Sequence, residues 1–245
     1  MKNRYLAGLL LAALPACGQP NFVDAVGKES VRGTYLHTLL EHEKAKGREG
    51  FELVEEVLYD PDFSAYRQKS GEEMGKYPAG SPAREVFRVI SERISTREGK
   101  SYHPAATLPP SYQLGMGEPS TVFFSWSAFD PRVIQSEDEL LSCFDHEAGH
   151  CILYGKGFPG GEGLSQQDLE RSSPALQDSC AEALVYRHQL QILDRGLRKT
   201  SPRFREMMEA SSAEKIAGIK KYEASPGPDG KLARFTLDLL GRMAK

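Results

Sequence analysis

Residues 136–155 (SEDELLSCFDHEAGHCILYG) constrain this chain more than any other stretch, because a predicted helix there carries chemically active side chains. Ser136 and Glu139 form the pattern of a capping box, and three acids in the first turn suit the positive end of the helix dipole. Gly155 marks the end of the helix. Inside it, positions 146–150 read HEAGH, an H-E-x-x-H sequence. The spacing of this motif can therefore be interpreted on a helix.

Histidines four residues apart project from one face of a helix, so the imidazoles of His146 and His150 can reach a single metal ion. Glu147 lies about 60° from His150 around the helix axis, a position that suits a carboxylate near the metal that does not coordinate it. Zinc lowers the pKa of a bound water to about 7, and such a carboxylate can take its proton as the water attacks a polarised carbonyl. The motif predicts Zn²⁺-dependent hydrolysis of peptide bonds, with Glu147 as the general base.

Two alternative structures without catalytic function are also consistent with this motif. One is a buried helix with two hydrogen-bonded histidines, since Leu140, Phe144 and Leu153 are among the apolar residues that can bury the rest of this helix. The other is a purely structural zinc site. Structural sites prefer cysteine and fill all four positions, so a catalytic site is the favoured interpretation.

The segment SEDELLSCFDHEAGH resembles the acidic lead-in and H-E-x-G-H core of gluzincin-type enzymes among the zincin metallopeptidases. This resemblance covers well under half of the chain. It implies a zincin-like fold, a catalytic zinc, peptide-bond hydrolysis and an edge strand that pairs with the extended substrate. Residues 121–126 are the candidate for that edge, with an ordinary core strand as the alternative. HEAGH also occurs in membrane-associated ATP-dependent proteases, but the phosphate-binding G-x-x-x-x-G-K-[ST] sequence is absent.

The third zinc ligand is expected on the helix predicted over residues 174–195, because a catalytic zinc needs three protein ligands. Helical angles place Glu182, Asp178 and Tyr186 on one polar face and His188 about 120° away. By similarity to the gluzincins, Glu182 completes the site, while Asp178 and His188 remain alternatives. Tyr186 is the candidate that donates a hydrogen bond to the oxyanion, with His188 as the alternative and simple packing as the plainer role.

The start of the chain predicts export. Lys2 and Arg4 precede an apolar stretch over residues 5–14 that is too short to span a bilayer. The sequence LPAC, which ends at Cys17, resembles a bacterial lipobox, so residues 1–17 are predicted to be a signal peptide whose cysteine receives a lipid anchor. Ordinary signal-peptidase cleavage is the alternative. The expected location is the periplasm or cell envelope, on the membrane through that anchor.

The remaining composition limits partners and fold. Loss of the signal removes two basic residues and no acidic ones, so the formal charge changes from -3 to -5. A mildly acidic chain is a poor candidate for binding nucleic acid.

Residues 18–245 are expected to form a single α+β domain, mostly helical and zincin-like, with a small sheet and helical N- and C-terminal parts. The predicted partner is a peptide or protein substrate. The alternative is a non-catalytic lipoprotein that uses the scaffold for binding or envelope assembly.

Three cysteines remain after Cys17. Cys143 and Cys151 lie eight residues apart on the motif helix, more than about 10 Å along its axis, and cannot bridge each other. Cys180 could pair with either one, although small buried thiols are the alternative for all three. Cys143 falls on the face that carries His150, where we expect it to pack as a neutral thiol.

Other segments are expected to serve as scaffold. Residues 28–47 predict a helix, and residues 51–59 predict either a strand or a short helix. Residues 99–117 predict a long irregular connection that includes His103 as an ordinary loop histidine. The short helices after Gly196 are expected to cover the back of the domain without contributing to the chemistry.

Overall fold

The computed structural model describes residues 20–94, 103–108, 120–156 and 166–244. These residues form a mostly helical α+β fold with one small sheet, which confirms the predicted fold class. The predicted signal peptide and Cys17 lie outside the described residues. Within those ranges, none of the helices combines the length and the apolar character that crossing a bilayer requires.

The described part of the chain contains nine α-helices. In chain order they are α1 (Phe22–Gly27), α2 (Arg32–Ala45), α3 (Ser64–Gly75), α4 (Pro82–Ile94), α5 (Glu137–Lys156), α6 (Gln166–Arg171), α7 (Pro174–Asp194), α8 (Pro202–Lys220) and α9 (Gly227–Met243). The two helices of the predicted site, α5 and α7, match their expected bounds to within one residue.

The sheet has three strands in the order β1-β3-β2, where β1 is Val54–Tyr59, β2 is Ala105–Leu108 and β3 is Ser120–Phe124. Strand β1 runs parallel to β3, and β2 runs antiparallel to it. Residues 51–59 are thus a strand preceded by a short 3-10 turn. The prediction of an edge at residues 121–126 is wrong, because β3 is the central strand. Its dense β-branched and aromatic side chains suit a strand that is buried on both faces.

The prediction that residues 99–117 form only an irregular connection is wrong, because strand β2 lies within them. The stretch predicted as an irregular connection contains a four-residue strand that forms an edge of the described sheet. Its sequence, AATL, contains a single β-branched residue and follows a proline, so its local propensity for strand is low. Pairing with β3 stabilises it instead.

The start of α5 differs in detail from the predicted capping box. The hydroxyl of Ser136 accepts a hydrogen bond from the backbone nitrogen of Glu139 at 3.2 Å, as expected. The carboxylate of Glu139 accepts instead from the backbone nitrogen of Gln135 at 2.6 Å and from the hydroxyl of Ser201 at 2.6 Å. Glu139 therefore joins the beginning of α5 to the residue that caps α8.

Aromatic side chains pack α5 against the sheet. The ring of Phe144 lies with its centroid 5.0 Å from that of Phe51 and 5.1 Å from that of Phe124. All three side chains are fully buried. Because Phe124 is on β3, this cluster fixes the rotation of α5 about its axis relative to the sheet.

Two glycines allow other segments to approach α5 closely. Gly50 has a φ of 86°, and a Cβ atom there would lie 2.7 Å from the carbonyl oxygen of Ala148. Gly149 faces α7, where a Cβ atom would lie 3.0 Å from Val185 Cγ1. The backbone of the motif helix is thus in close contact with a loop on one side and with α7 on another.

A buried ion cluster joins three distant parts of the chain. Arg198, which follows α7, donates to both carboxylate oxygens of Asp145 at 2.8 and 2.9 Å and to Glu43 at 2.6 Å. Burial disfavours the charged form of Glu43, but hydrogen bonds from Lys46 and Arg198 outweigh it and lower the pKa of this carboxyl group. Asp145 directly precedes His146, so the ion cluster fixes the part of α5 that carries the predicted metal ligands.

Candidate metal centre

The three predicted metal ligands lie together in the structure. His146 Nε2 is 3.6 Å from Glu182 Oε2, and His150 Nε2 is 3.1 Å from Glu182 Oε1. One ligand atom from each residue lies within 4.8 Å of those of the other two. The Glu182 side chain is only 1% exposed and that of His150 only 6%. Helix α5 thus contributes both imidazoles and α7 the carboxylate.

The spacing and chemistry of these groups fit zinc. Ligand atoms at about 2.0–2.1 Å from a tetrahedral ion are about 3.4 Å apart. Each Glu182 oxygen lies near that distance from one imidazole, since Oε2 is 3.6 Å from His146 Nε2 and Oε1 is 3.1 Å from His150 Nε2. Two imidazoles and one carboxylate are a donor set of catalytic zinc sites, in which the fourth position is left to water or substrate. The residues present therefore fit the ion that the motif predicts.

The charge of Glu182 has to be balanced inside the protein. Burial lowers the pKa of His146, but the negative charges of Glu182 and Glu147 outweigh this effect and raise it. A divalent cation bound by the three ligands would offset the charge of Glu182, and it would compete with protons for the imidazole nitrogens.

Glu147 is positioned by strand β2. The hydroxyl of Thr107 lies 2.8 Å from Glu147 Oε2, to which it donates, and 3.1 Å from the Glu147 backbone oxygen. Both residues are almost fully buried and line the cavity beside the histidines. The proposed general base is therefore held at the site without belonging to the cluster of metal-binding atoms.

A cavity of about 210 Å³ opens onto this cluster. Its walls come from β2 and its flanking residues, from α5, α7 and α8, and from neighbouring side chains such as Val133. Met207, Met208 and Ser211 of α8 line it, so the prediction that the helices after Gly196 cover only the back of the domain is wrong for α8. The cavity combines the polar groups of this cluster with apolar side chains such as Ile94, Val133 and Met208, a combination that is common in ligand-binding pockets.

The other residues proposed from sequence occupy different positions. Tyr186 lines the cavity, and its ring centroid is 4.5 Å from that of His146. Asp178 pairs with Lys215 at 3.7 Å and lies outside the clustered ligand atoms of the described residues. His188 packs beside Gly149 of the motif helix, where burial lowers the pKa of its imidazole. Of these three, the structure brings only Tyr186 to the cavity.

Two cavity residues from the segment before β3 have no function predicted from the sequence. Thr107 holds Glu147, and His103 lines the cavity near the start of β2. The His103 backbone oxygen accepts hydrogen bonds from the hydroxyls of Ser125 and Ser127 at 2.6 and 3.0 Å. Neither residue belongs to a recognisable motif, and their position becomes evident only when β2 pairs with β3.

In the described part of the chain, the cysteines at positions 143, 151 and 180 are buried free thiols. Burial, together with the charge of Glu147, raises the pKa of Cys143, so this thiol stays neutral in the cavity wall. Burial also raises the pKa of Cys151 to about 12 and that of Cys180 to about 12. All three act as small packing residues.

Comparison of the chain with models of protein families, with curated proteins and with solved structures finds no match.

Proposed function

We propose that this protein is a zinc-dependent metallopeptidase that acts outside the cytoplasm. The observation that carries the proposal is the convergence of His146, His150 and Glu182 next to Glu147 at the wall of a cavity. Export rests on the signal and lipobox pattern of residues 1–17. The proposed cofactor is Zn²⁺ and the proposed partner is a peptide or protein substrate.

Each residue of the site has a defined task in this reaction. Zinc bound by the three ligands would supply a Lewis acid that polarises the peptide carbonyl and acidifies a water molecule. Glu147 accepts the proton of the attacking water and returns it to the leaving amine, so it is first a general base and then a general acid. Tyr186, beside His146 on the cavity wall, donates a hydrogen bond to the oxygen that gains charge.

Strand β2 is the proposed binding edge for the substrate. It lies at an edge of the described sheet, and Ala105, Ala106 and Thr107 line the cavity. An extended peptide can add to such an edge through backbone hydrogen bonds. The function first expected of residues 121–126 is therefore assigned to β2, whose hydroxyl-bearing residue also holds the general base.

Metal content of the purified mature protein tests the ligand set. We expect about one zinc per chain in the wild type and almost none in Glu182→Ala, because two imidazoles alone leave the ion with too few protein ligands. Asp178→Ala is the matched control, since it removes an acid one turn away on the same helix. Metal would be measured by mass spectrometry after dialysis.

Two outcomes would contradict this assignment. If zinc were retained in Glu182→Ala but lost in Asp178→Ala, the third ligand would be Asp178 and not Glu182. A wild-type protein that binds no zinc would remove the basis for the whole proposal.

The hydrogen bond from Thr107 to Glu147 leads to a separate prediction. Thr107→Val keeps the shape of the side chain but removes the donor, and we expect kcat to fall about 10- to 100-fold because a hydrogen bond to a charged group contributes about 1.5–3 kcal/mol. Zinc content should not change. Thr107→Ser, which restores the hydroxyl, should recover most of the activity. Equal activity of the Val and Ser variants would show that the hydroxyl has no part in the reaction.

A further inference from the structure

A buried glutamine links the two helices that carry the predicted ligands. Gln189 lies two turns after Glu182 on α7 and is 1% exposed. Its Oε1 atom is 3.2 Å from His146 Nδ1. Its Nε2 atom is 2.8 Å from the backbone oxygen of Ser142 and 3.0 Å from the Ser142 hydroxyl. The amide thus lies between two positions of α5 that are one turn apart.

The Ser142 carbonyl determines which way this amide faces. A backbone carbonyl oxygen can only accept a hydrogen bond, so the group opposite it must be the NH₂ end of Gln189. The oxygen end therefore faces His146. Because that oxygen can only accept, the hydrogen between the two side chains must be on His146 Nδ1.

The position of this hydrogen decides what the other ring nitrogen can do. A neutral imidazole carries a single N–H, so Nδ1–H leaves a lone pair on Nε2. His146 Nε2 is the atom that faces Glu182, and their separation of 3.6 Å is longer than a hydrogen bond. The lone pair is therefore available at the point where the three ligand atoms converge.

We propose that Gln189 is a positioning residue that holds neutral His146 in the Nδ1–H tautomer and keeps Nε2 directed at the metal position. The identity of the metal rests on the proposed function, whereas the tautomer does not. A carboxylate could orient the ring in the same way, but it would add a negative charge beside two acids that are already buried, Glu147 and Glu182. The amide provides the orientation without that charge.

The second histidine is held differently. His150 Nδ1 is buried and has no hydrogen-bond partner among the described residues. Its ring stacks on that of Tyr154 with the two planes 15° apart. Packing therefore orients His150, whereas a hydrogen bond orients His146. Removal of Gln189 should consequently affect His146 alone.

The tautomer can be measured directly on the zinc-free mature protein. Long-range ¹H–¹⁵N correlation spectra at alkaline pH, where the imidazole is neutral, distinguish a protonated ring nitrogen from an unprotonated one. We expect His146, assigned by its absence in His146→Gln, to carry its proton on Nδ1. A proton on Nε2 would overturn the proposal, and this test needs no Gln189 variant to fold.

Zinc affinity provides the second measurement, by competition with a fluorescent chelator. Gln189→Met is expected to weaken zinc binding about 10- to 100-fold, the usual effect of losing a group that orients a ligand. Gln189→Glu keeps an acceptor for Nδ1–H and should bind more tightly than Gln189→Met. Gln191→Met is the matched control, because Gln191 lies on the same helix and donates to the backbone oxygen of Met243 at 2.7 Å.

The outcomes separate this inference from the proposed function. Equal zinc affinities for Gln189→Met and Gln191→Met would overturn the positioning function of Gln189 and leave the metal site intact. If the wild type bound no zinc, the metallopeptidase proposal would fail, and the tautomer spectrum alone would decide the inference.

Discussion

Replacement of Glu147 by glutamine is expected to reduce peptide hydrolysis by about 10²- to 10⁴-fold, the usual contribution of a general acid or base. The amide keeps the size of the side chain but cannot accept the proton of the attacking water. Zinc content should remain that of the wild type, because Glu147 lies outside the three clustered ligand groups. Cleavage of fluorescein-labelled casein and of a mixed peptide library, measured together with bound zinc, would test this.

Glu137→Gln is the matched control for that experiment. Glu137 is an exposed acid in the first turn of the same helix, and a glutamine there can still accept the hydrogen bond from the Tyr35 hydroxyl. We expect it to retain wild-type activity. Full activity in Glu147→Gln would place the general base elsewhere. A wild type that binds zinc but cleaves nothing would favour the alternative of a non-catalytic exported binding protein.

The largest effect on stability is expected at Arg198. Arg198→Met should lower the free energy of unfolding by about 3–5 kcal/mol, because it leaves the carboxylate of Asp145 buried without its partner and that of Glu43 with only Lys46 and Arg48. For a chain of this length each kcal/mol corresponds to about 2–4 °C, so the melting temperature should fall by roughly 10 °C. Thermal and urea unfolding followed by circular dichroism would measure both quantities.

Two further variants define the cause of that loss. Arg205→Met removes an arginine with two exposed ion pairs, to Asp194 and Glu209, and should change stability by less than about 1 kcal/mol. The triple variant with Arg198→Met, Asp145→Asn and Glu43→Gln has no buried charge left in the cluster and should recover part of the loss. A similar effect of Arg198→Met and Arg205→Met would show that the buried cluster contributes little.

Local periodicity was sufficient to predict the two helices of the site. Capping residues and apolar spacing placed α5 and α7 to within one residue of their observed bounds. Because a helix rotates by a nearly constant angle per residue, the sequence also indicated that Glu182 and Tyr186 share a face that excludes His188. In the structure that face is turned towards the two histidines of α5.

Features that depend on distant pairing were not predictable in the same way. Strand β2 has weak local propensity and exists because it pairs with β3. The central position of β3 depends on β1, whose residues precede it by more than sixty positions. Arg198 meets Glu43 across 155 residues, and no local pattern connects them. The hydrogen bond from Gln189 to the Ser142 carbonyl likewise follows from how α5 packs on α7.

The glycine at position 50 has a consequence for the tolerance of this chain to mutation. A side chain there would collide with the carbonyl oxygen of Ala148, in the middle of the motif, and the left-handed backbone at that position already disfavours other residues. Displacing this carbonyl would bend α5 between the two histidines. A random library selected for loss of function should therefore return position 50 together with the chemically active residues, although it contributes no atom to the reaction.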